Sequence, residues 1–313
     1  MEDPLKAALR HDADMTDCRE ILKEGSHSFF AASLLLPDVY RQPITALYAF
    51  CRVADDAVDL ADEPRDGLEQ MTRRLNRIYA GEPEDSPVDR AFSDVVLSYN
   101  IPYTLPAALL EGFLWDVEGR SYGTMSDTYA YSARVAGTVG AMMAMLMGVR
   151  NPDVLSRACD LGVAMQITNI CRDVGEDAEA GRLYLPADRL RAHGIDAGAW
   201  VERPEINAGI RSVVREMLEL ADELYLRSEW GISQLPSRVR PGIYAARSIY
   251  AEIGREIERR DYDSVSTRAY VRKRRKAQLL AVAMRNSLEG RRQDDAPPLD
   301  ETRFLIDAVR AGT

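Results

Sequence analysis

The sequence predicts an all-α protein, and two observations support that fold class. Apolar residues recur at the spacing of amphipathic helices along most of the 313 residues, and strand-like alternation is missing from the sequence. The chain is 46% hydrophobic, so it can bury a large core in one big domain or two smaller ones. No apolar run is as long as the roughly 18 residues that a membrane-spanning helix needs.

Prolines, glycines and capping residues set the helices of the first half. Thr16 or Asp17 caps the first helix, which stops at Pro37, and Pro43 occupies the first turn of the next. Gly148 ends the last helix of this half. The predicted helices are Thr16–Leu36, Pro43–Leu60, Leu68–Tyr79, Val88–Tyr99, the segment from the Ile101–Pro106 turn to about Arg120, and Thr128–Met147.

The second half carries longer helices. Pro152 starts one that runs through Cys171 to about Glu179 and is broken by Gly181, and Leu183–Pro204 is expected to be a loop with a short helix. The remaining predicted helices are Glu205–Leu235, Val239–Arg260, Thr267–Leu288 and a short one at Glu301–Val309. The expected units are a flexible N-terminus at 1–15, the all-α domain at 16–290 and a C-terminal tail at 291–313.

Composition excludes several classes of function. A net charge of −10 disfavours non-specific nucleic-acid binding, because phosphates repel an acidic surface. The four cysteines form no CxxC pair and fit buried thiols in a reducing compartment, and three histidines are too few for a His-rich zinc site. The charged N-terminus lacks the apolar core of a signal peptide. We therefore expect a soluble protein of the cytoplasm.

The first acidic segment, residues 51–59, lies late in an apolar helix. Asp55 and Asp59 are four residues apart, so their side chains share one face, and Arg52 lies one turn earlier on that face. Asp56 projects at a different angle. A single pair of this kind is most often a solvated helix face, but two pairs in apolar surroundings favour a metal site.

The second acidic segment, residues 166–177, has the same character. Gln166, Asn169, Asp173 and Asp177 follow steps of three, four and four residues, which places them on one helix face. Magnesium prefers oxygen ligands and is commonly held by one or two carboxylates together with substrate phosphates. Two such segments facing each other would clamp a diphosphate through bridging ions, which would offset the charge of a departing diphosphate.

These segments resemble the signature motifs of the squalene and phytoene synthase family. Residues 55–59 match a DxxxD motif, and residues 169–177 match an NxxRDVxED motif almost completely. The supporting similarities are Ser26–Phe30, Tyr131 with Val135–Gly140, and Arg182–Pro186. The resemblance extends from about residue 20 to 285, and its second motif is highly specific.

The resemblance implies a fold and a metal site. The fold is a single isoprenoid-synthase-type helical bundle around a central cavity, with the acidic helices facing each other across its mouth. The metal is Mg²⁺, with Mn²⁺ as a substitute, and the implied ligands are Asp55, Asp59, Asn169, Asp173 and Asp177. Arg52 and Arg172 would contact the diphosphate, and a salt bridge to a neighbouring aspartate is the alternative for each.

Other matched residues are implied to bind substrate or assist the reaction. Those next to the substrate would be Ser26, Ser28, Phe29, Gln166 and Asn169. Tyr131 and Tyr184 would line the cavity near a cation, although each alone is more often a half-buried packing residue. The two tyrosines, together with Arg52 and Arg172, form the implied catalytic set.

The implied activity is that of a prenyl transferase that joins two allylic diphosphates head to head. Ionisation of the first gives an allylic cation, and the 2,3-alkene of the second attacks it to form a cyclopropylcarbinyl diphosphate. A second ionisation, rearrangement and proton loss then yield a triene. No nicotinamide is expected, because the sequence has no GxGxxG fingerprint.

Geranylgeranyl diphosphate is the favoured substrate, and phytoene, a carotenoid precursor formed via prephytoene diphosphate, is the favoured product. The reason is that the resemblance places the small residues Ser33 and Thr45 along the tail tunnel, where they leave room for twenty-carbon tails. The alternatives are a squalene or dehydrosqualene synthase that uses farnesyl diphosphate, and a non-catalytic family member that acts as an assembly factor.

The basic run Arg268–Lys276 leaves three interpretations open. It reaches the second diphosphate, it forms a solvated face, which is the commonest case, or it is attracted to anionic lipid headgroups. A water-insoluble product also suggests peripheral association with the inner face of the membrane. The sequence predicts no oligomeric state.

Overall fold

Helices account for all the regular secondary structure in the described part of the chain, which confirms the all-α prediction. The computed structural model describes residues 4–59 and 63–312, and these ranges contain no strand. The helices are α1 Pro4–Gly25, α2 His27–Ser33, α3 Asp38–Asp59, α4 Pro64–Tyr79, α5 Pro87–Ser98, α6 Thr104–Val117, α7 Met125–Ser132, α8 Thr138–Leu146, α9 Pro152–Arg172, α10 Val174–Glu179, α11 Ala187–Ala192, α12 Ala197–Glu202, α13 Ala208–Gln234, α14 Arg240–Glu258, α15 Lys273–Asn286 and α16 Arg303–Ala311. A π-helix, Ala133–Gly137, joins α7 to α8, and a 3₁₀ turn, Asp300–Thr302, precedes α16.

The N-terminal region differs from its prediction at both ends. Helix α1 begins at Pro4 rather than at the predicted cap, Thr16. Ser26 accepts a hydrogen bond from the Phe29 N–H at 3.2 Å and so caps the separate helix α2, because such a side chain satisfies an otherwise free amide at a helix start. The prediction of a single helix that continues to Leu36 is therefore wrong.

Two later boundaries also differ. Helix α3 begins at Asp38, so Pro43 lies in its second turn, and the predicted end at Leu60 lies outside the described residues. Helix α15 begins at Lys273 rather than at Thr267, because the residues before it form an extended connection from α14. The division into a flexible N-terminus, a domain and a tail stays a prediction.

Glycines allow α9 to cross the π-helix and α8 at close range. A Cβ atom on Gly140 would lie 2.2 Å from the Ala158 carbonyl oxygen, and one on Gly162 would lie 2.3 Å from the Ala136 carbonyl oxygen. Backbones can approach this closely only where a residue has no side chain. The helix end predicted at Gly148 is confirmed, and its φ of +79° suits glycine.

Helix α9 is the central element of the bundle. It packs against α8, α13 and α14 and contributes to two apolar cores, its first half to one built mainly from α1 to α8 and its second half to one built mainly from α9 to α15. The cysteines are free thiols, of which Cys18, Cys159 and Cys171 are buried and Cys51 is half-buried. Among the described helices, none combines the length and the apolar character needed to cross a bilayer.

Candidate active site

An apolar cavity of about 250 Å³ lies between α3, α8, α9, α13 and α14. One face of α9 lines it through Val154, Ala158, Leu161, Met165 and Asn169. At 1.5 Å per residue this face extends over about 22 Å. The cavity agrees with the central cavity that the family resemblance implied. Its polar end lies at Asn169, where the second acidic segment begins.

The first acidic segment lies at the C-terminal end of α3. Arg52 donates to Asp55 at 3.1 Å and also to Asp56, so the structure contains the salt bridges that were the alternative to diphosphate binding. Burial and then the charge of Asp59 raise the pKa of Asp55 to about 6, and Arg52 offsets only part of that shift. The negative charge of Asp55 is therefore poorly compensated.

The second acidic segment crosses a break between α9 and α10. Asp173 has φ −103° and ψ 13°, so the continuous helix predicted to run from Pro152 to Glu179 is wrong. The Asn169 amide nitrogen donates to Gln166 at 3.5 Å, but its side-chain oxygen is buried without a hydrogen-bond partner in the described part of the chain. A buried oxygen without a partner is costly and suggests that a ligand satisfies it.

Two arginines hold Asp173. The Nε atoms of Arg172 and Arg268 donate to the same carboxylate oxygen at 2.7 and 2.9 Å. Arg268 also pairs with Glu176 at 3.2 Å. Arg268, the first residue of the basic run, therefore reaches the acidic site. Arg172 makes the salt bridge to a neighbouring aspartate that was its alternative to diphosphate binding.

Arg182 connects the two acidic segments, although the sequence analysis assigned it no role of its own. Its Nη2 atom donates to Asp59 at 3.0 Å, and its charge lowers the pKa of Asp177. Burial and then the charge of Asp173 outweigh that effect and raise the pKa of Asp177 to about 7. Because one guanidinium acts on an aspartate of each segment, Asp59 and Asp177 face a common space.

Asp116, near the end of α6, is a further carboxylate that the sequence did not single out. Its two oxygens accept hydrogen bonds from the hydroxyl groups of Tyr131 at 2.8 Å and Tyr184 at 2.7 Å. Burial raises the pKa of Asp116 to about 6, and the two hydrogen bonds oppose that shift. The charge of Asp116 also raises the pKa values of Asp55 and Asp177, so Asp116 lies near both segments.

The two tyrosines lie differently from the expectation. Both are buried, and their rings stack with centroids 4.9 Å apart. Neither is among the residues that line the apolar cavity. Their hydroxyl groups instead donate to Asp116. Tyr131 lies one turn before Val135, which does line the cavity. The expected cavity-lining position of Tyr131 and Tyr184 is therefore corrected to one beside Asp116.

Residues of α2 border the polar end of the cavity. Phe29 lines the cavity, and the Ser28 hydroxyl accepts a hydrogen bond from the Lys276 ammonium at 2.8 Å. Tyr250 of α14, which the sequence did not single out, also lines the cavity and hydrogen-bonds Ser26. The residues of this segment thus lie at or beside the polar end of the cavity, and their role in substrate binding stays a prediction.

Ser33 and Thr45 do not line the apolar cavity, so their expected place in a tail tunnel is wrong. They line a separate pocket together with Leu22 and Phe30. The Ser33 hydroxyl donates to the Phe30 carbonyl at 2.7 Å, and the Thr45 hydroxyl donates to the Arg41 carbonyl at 2.8 Å. Both hydroxyls are satisfied within their own helices, so these residues carry no information on tail length.

The donor set fits a divalent cation without forming a finished site. Within residues 4–59 and 63–312, no group of three or more histidine, cysteine, aspartate or glutamate side chains is close enough to hold a metal ion. Burial and neighbouring charges nevertheless raise the pKa values of Asp55 and Asp177, and Asn169 offers an unpaired oxygen. A hard cation would relieve both conditions, since it prefers oxygen ligands.

Sequence comparisons show which proteins this chain is similar to. The family model described as squalene/phytoene synthase matches residues 22–275. The phytoene synthase of Rhodobacter capsulatus is 51% identical over 306 residues, which cover 95% of this chain and 90% of the relative. The phytoene synthase of Cereibacter sphaeroides is 51% identical over 312 residues, with coverages of 95% and 88%.

Solved structures share the fold. A dehydrosqualene synthase in complex with a ligand aligns with a TM-score of 0.82 at 31% identity, covering 90% of this chain and 98% of its own. A squalene synthase from Alicyclobacillus acidocaldarius aligns with a TM-score of 0.74 at 24% identity, over 81% of this chain and 96% of its own, which supports the fold alone. The chain therefore belongs to the squalene/phytoene synthase family.

Proposed function

We propose that this chain is a prenyl transferase that condenses two molecules of geranylgeranyl diphosphate to phytoene, via prephytoene diphosphate and with release of diphosphate. One observation carries this function: a long apolar cavity ends at two acidic segments that face a common space. Such a cavity suits a hydrocarbon tail, and its polar end suits an anionic head. The relatives at 51% identity are phytoene synthases, which favours geranylgeranyl over farnesyl diphosphate.

The acidic cluster disfavours the alternative of a non-catalytic assembly factor. Asp55, Asp116 and Asp177 all have pKa values raised by burial, so their ionised forms destabilise the folded chain. A purely structural bundle gains nothing from such groups. A catalyst gains from them, because ionised carboxylates can bind the cations that hold a diphosphate.

We propose Mg²⁺, replaceable by Mn²⁺, as the metal. The proposed ligands come from both segments and are Asp55, Asp59, Asn169, Asp173 and Asp177. When bound, such ions stabilise the negative charge of a departing diphosphate. No nicotinamide is needed, because the condensation contains no reduction.

The arginines of the site are proposed to bind diphosphate oxygens. Arg52 and Arg172 pair with neighbouring aspartates, and those carboxylates would exchange their arginine partners for cations when substrate binds. A planar guanidinium then offers two parallel donors to phosphate oxygens. Ser28 and Lys276 lie close enough to each other to take part at the same end of the cavity.

Tyr131 and Tyr184 are proposed to stabilise positive charge during the rearrangement. Each donates its hydroxyl proton to Asp116, which holds its ring in place, and the face of an aromatic ring attracts a cation. The apolar cavity excludes water that would otherwise quench such a cation. The released diphosphate is the proposed acceptor of the final proton, and a tyrosine is the weaker candidate.

The direct experiment supplies purified protein and Mg²⁺ with each diphosphate, without nicotinamide, and identifies the hydrocarbon. Phytoene from geranylgeranyl diphosphate is the expected product, whereas turnover of farnesyl diphosphate alone would overturn the assignment. Asp173→Ala should abolish turnover while far-UV helicity is retained. Asp295→Ala, an exposed aspartate far along the chain, is the matched control and should leave turnover unchanged. A cytoplasmic location stays a prediction from the sequence.

A further inference from the structure

The segment Ser264–Leu288, which contains α15, differs in charge from the rest of the chain. The whole protein has a net charge of −10, yet this segment has seven basic residues and no acidic one. The basic residues are Arg268, Arg272, Lys273, Arg274, Arg275, Lys276 and Arg285. A local positive surface on an acidic protein indicates an anionic partner.

Helix α15 buries only one narrow side. Leu279 and Ala283 are its buried residues, and α14 is the helix against which it mainly packs. On the outer side, exposed apolar residues follow steps of four, three and four: Ala277, Ala281, Met284 and Leu288. Met284 is 56% exposed and Leu288 is 87% exposed. Leu288 lies in the turn that directly follows α15, and together these four residues form one stripe, which we call the outer stripe.

Unpaired cations flank the outer stripe. Lys273, Arg274 and Arg285 are exposed, and none has an ion-pair partner within the described ranges. By contrast, Arg275 on the inner side pairs with the buried carboxylate of Glu252 at 2.9 Å. The cations beside the stripe are therefore available to bind an anionic partner.

The same helix borders the mouth of the candidate active site. Lys276 donates to Ser28 next to the cavity, and Arg268, shortly before α15, holds Asp173. A surface that binds the outer stripe would thus lie beside the point where an apolar tail enters and a hydrocarbon product leaves.

We propose that the outer stripe and its flanking cations dock on an anionic lipid surface. An amphipathic helix of this kind lies in the membrane interface, with its apolar side chains among the acyl chains and its cations on the headgroups. A second copy of the chain is the less suitable occupant, because a two-fold contact would set the same unpaired cations against each other. This docking does not depend on which prenyl diphosphate is the substrate.

Vesicle flotation tests the docking surface without substrate. The chain should float with vesicles that contain phosphatidylglycerol, should bind phosphatidylcholine vesicles far less, and should be released by about 0.5 M salt. The variant K273Q/R274Q/R285Q should bind on the order of a hundredfold more weakly, at roughly fivefold for each cation removed. The variant M284Q/L288Q should lose most of its binding as well.

Matched controls separate docking from misfolding and from catalysis. L97Q/L226Q replaces two exposed leucines on α5 and α13, and it should bind vesicles like the parent protein. All variants should keep the parent's far-UV spectrum and melting temperature, and M284Q/L288Q should turn over detergent-dispersed substrate at the parent rate. Equal vesicle binding by parent and charge variant would overturn the proposal. So would a dimer that M284Q/L288Q dissociates, because it would assign the stripe to a second copy.

Discussion

The carboxylate of Asp116 lies 2.7 Å from the hydroxyl of Tyr184, at the place where the two acidic segments meet. The other oxygen of the same carboxylate accepts from Tyr131 at 2.8 Å. Arg182 extends this chain of contacts, because it hydrogen-bonds Tyr184 and donates to Asp59 at 3.0 Å. Asp116 therefore ties the orientation of both tyrosines to the first acidic segment.

Replacing Asp116 by asparagine should reduce turnover. The amide has the size of the carboxylate, but its nitrogen cannot accept a hydrogen bond, so one tyrosine loses its partner. A hydrogen bond to a charged group contributes about 1.5–3 kcal/mol, so kcat should fall by roughly 10- to 150-fold. Steady-state kinetics of Asp116→Asn with an unchanged far-UV spectrum would check this.

A double-mutant cycle distinguishes orientation of the tyrosines from a general loss of charge. If Asp116 acts through Tyr184, then Asp116→Asn should cost much less in a Tyr184→Phe background than in the parent. Fully additive losses would contradict the role proposed for the pair.

The sequence predicted the acidic segments but not Asp116 or Arg182. Spacing of three and four residues revealed the segments, because residues at that spacing share one helix face. Asp116 is one of two carboxylates in the apolar helix α6, the other being Glu111, and it meets Tyr184 only through the fold. A carboxylate in so apolar a helix was a usable signal, but that signal did not distinguish Asp116 from Glu111. Arg182 had a motif but no spacing that pointed to Asp59.

The position of Ser33 and Thr45 could not be predicted because it depends on where helices break. The cap at Ser26 and the start of α3 at Asp38 divide a stretch that reads as one helix followed by another. After each break, the residues that follow face a different direction from the one that a continuous helix would give them. Helical periodicity gives the relative angle of residues within one helix, and it does not carry across a cap.

Asp177→Asn should stabilise the metal-free chain while it abolishes catalysis. Burial and the charge of Asp173 raise the pKa of Asp177 to about 7, so the ionised carboxylate is disfavoured in the folded state. Removing that charge should raise the melting temperature by a few degrees at about pH 8. Turnover should fall at least about a hundredfold, because a proposed metal ligand is lost.

Asp173→Asn is the matched comparison for Asp177→Asn. Asp173 is held by Arg172 and Arg268, so its replacement removes ion pairs instead of repulsion. Its melting temperature should stay level or fall, although turnover is lost as well. A rise of equal size in both variants would show that the arginines contribute nothing to the stability of the acidic cluster.

The effect of magnesium on stability should depend on pH. The pKa values of Asp55 and Asp177 are raised to about 6 and about 7 from 3.8, so their contribution to stability is present at low pH and is lost as pH rises through 6 to 7. Cations that bind the ionised carboxylates should restore the stability that is lost at high pH. We expect the increase in melting temperature from Mg²⁺ with pyrophosphate to be larger at about pH 8 than at about pH 5.5.

Scanning fluorimetry across that pH range, with and without Mg²⁺ and pyrophosphate, measures this difference directly. Asp177→Asn is the control, because it removes the group with the higher pKa and should flatten the pH dependence. A magnesium effect that does not change with pH would contradict binding by these carboxylates.

Ala158 should control which tail length the cavity accepts. It lines the cavity eleven residues before Asn169, at about 16 Å along α9 from the polar end, whereas the wall continues to Val154 at about 22 Å. A phenylalanine at position 158 would close the far part of the cavity. Ala158→Phe should therefore lower kcat/KM for geranylgeranyl diphosphate at least about tenfold more than for farnesyl diphosphate, because only the longer tail needs that space. Ala158→Ser adds little volume and should leave the ratio unchanged, whereas an equal loss with both substrates in Ala158→Phe would mean that the tail takes another path.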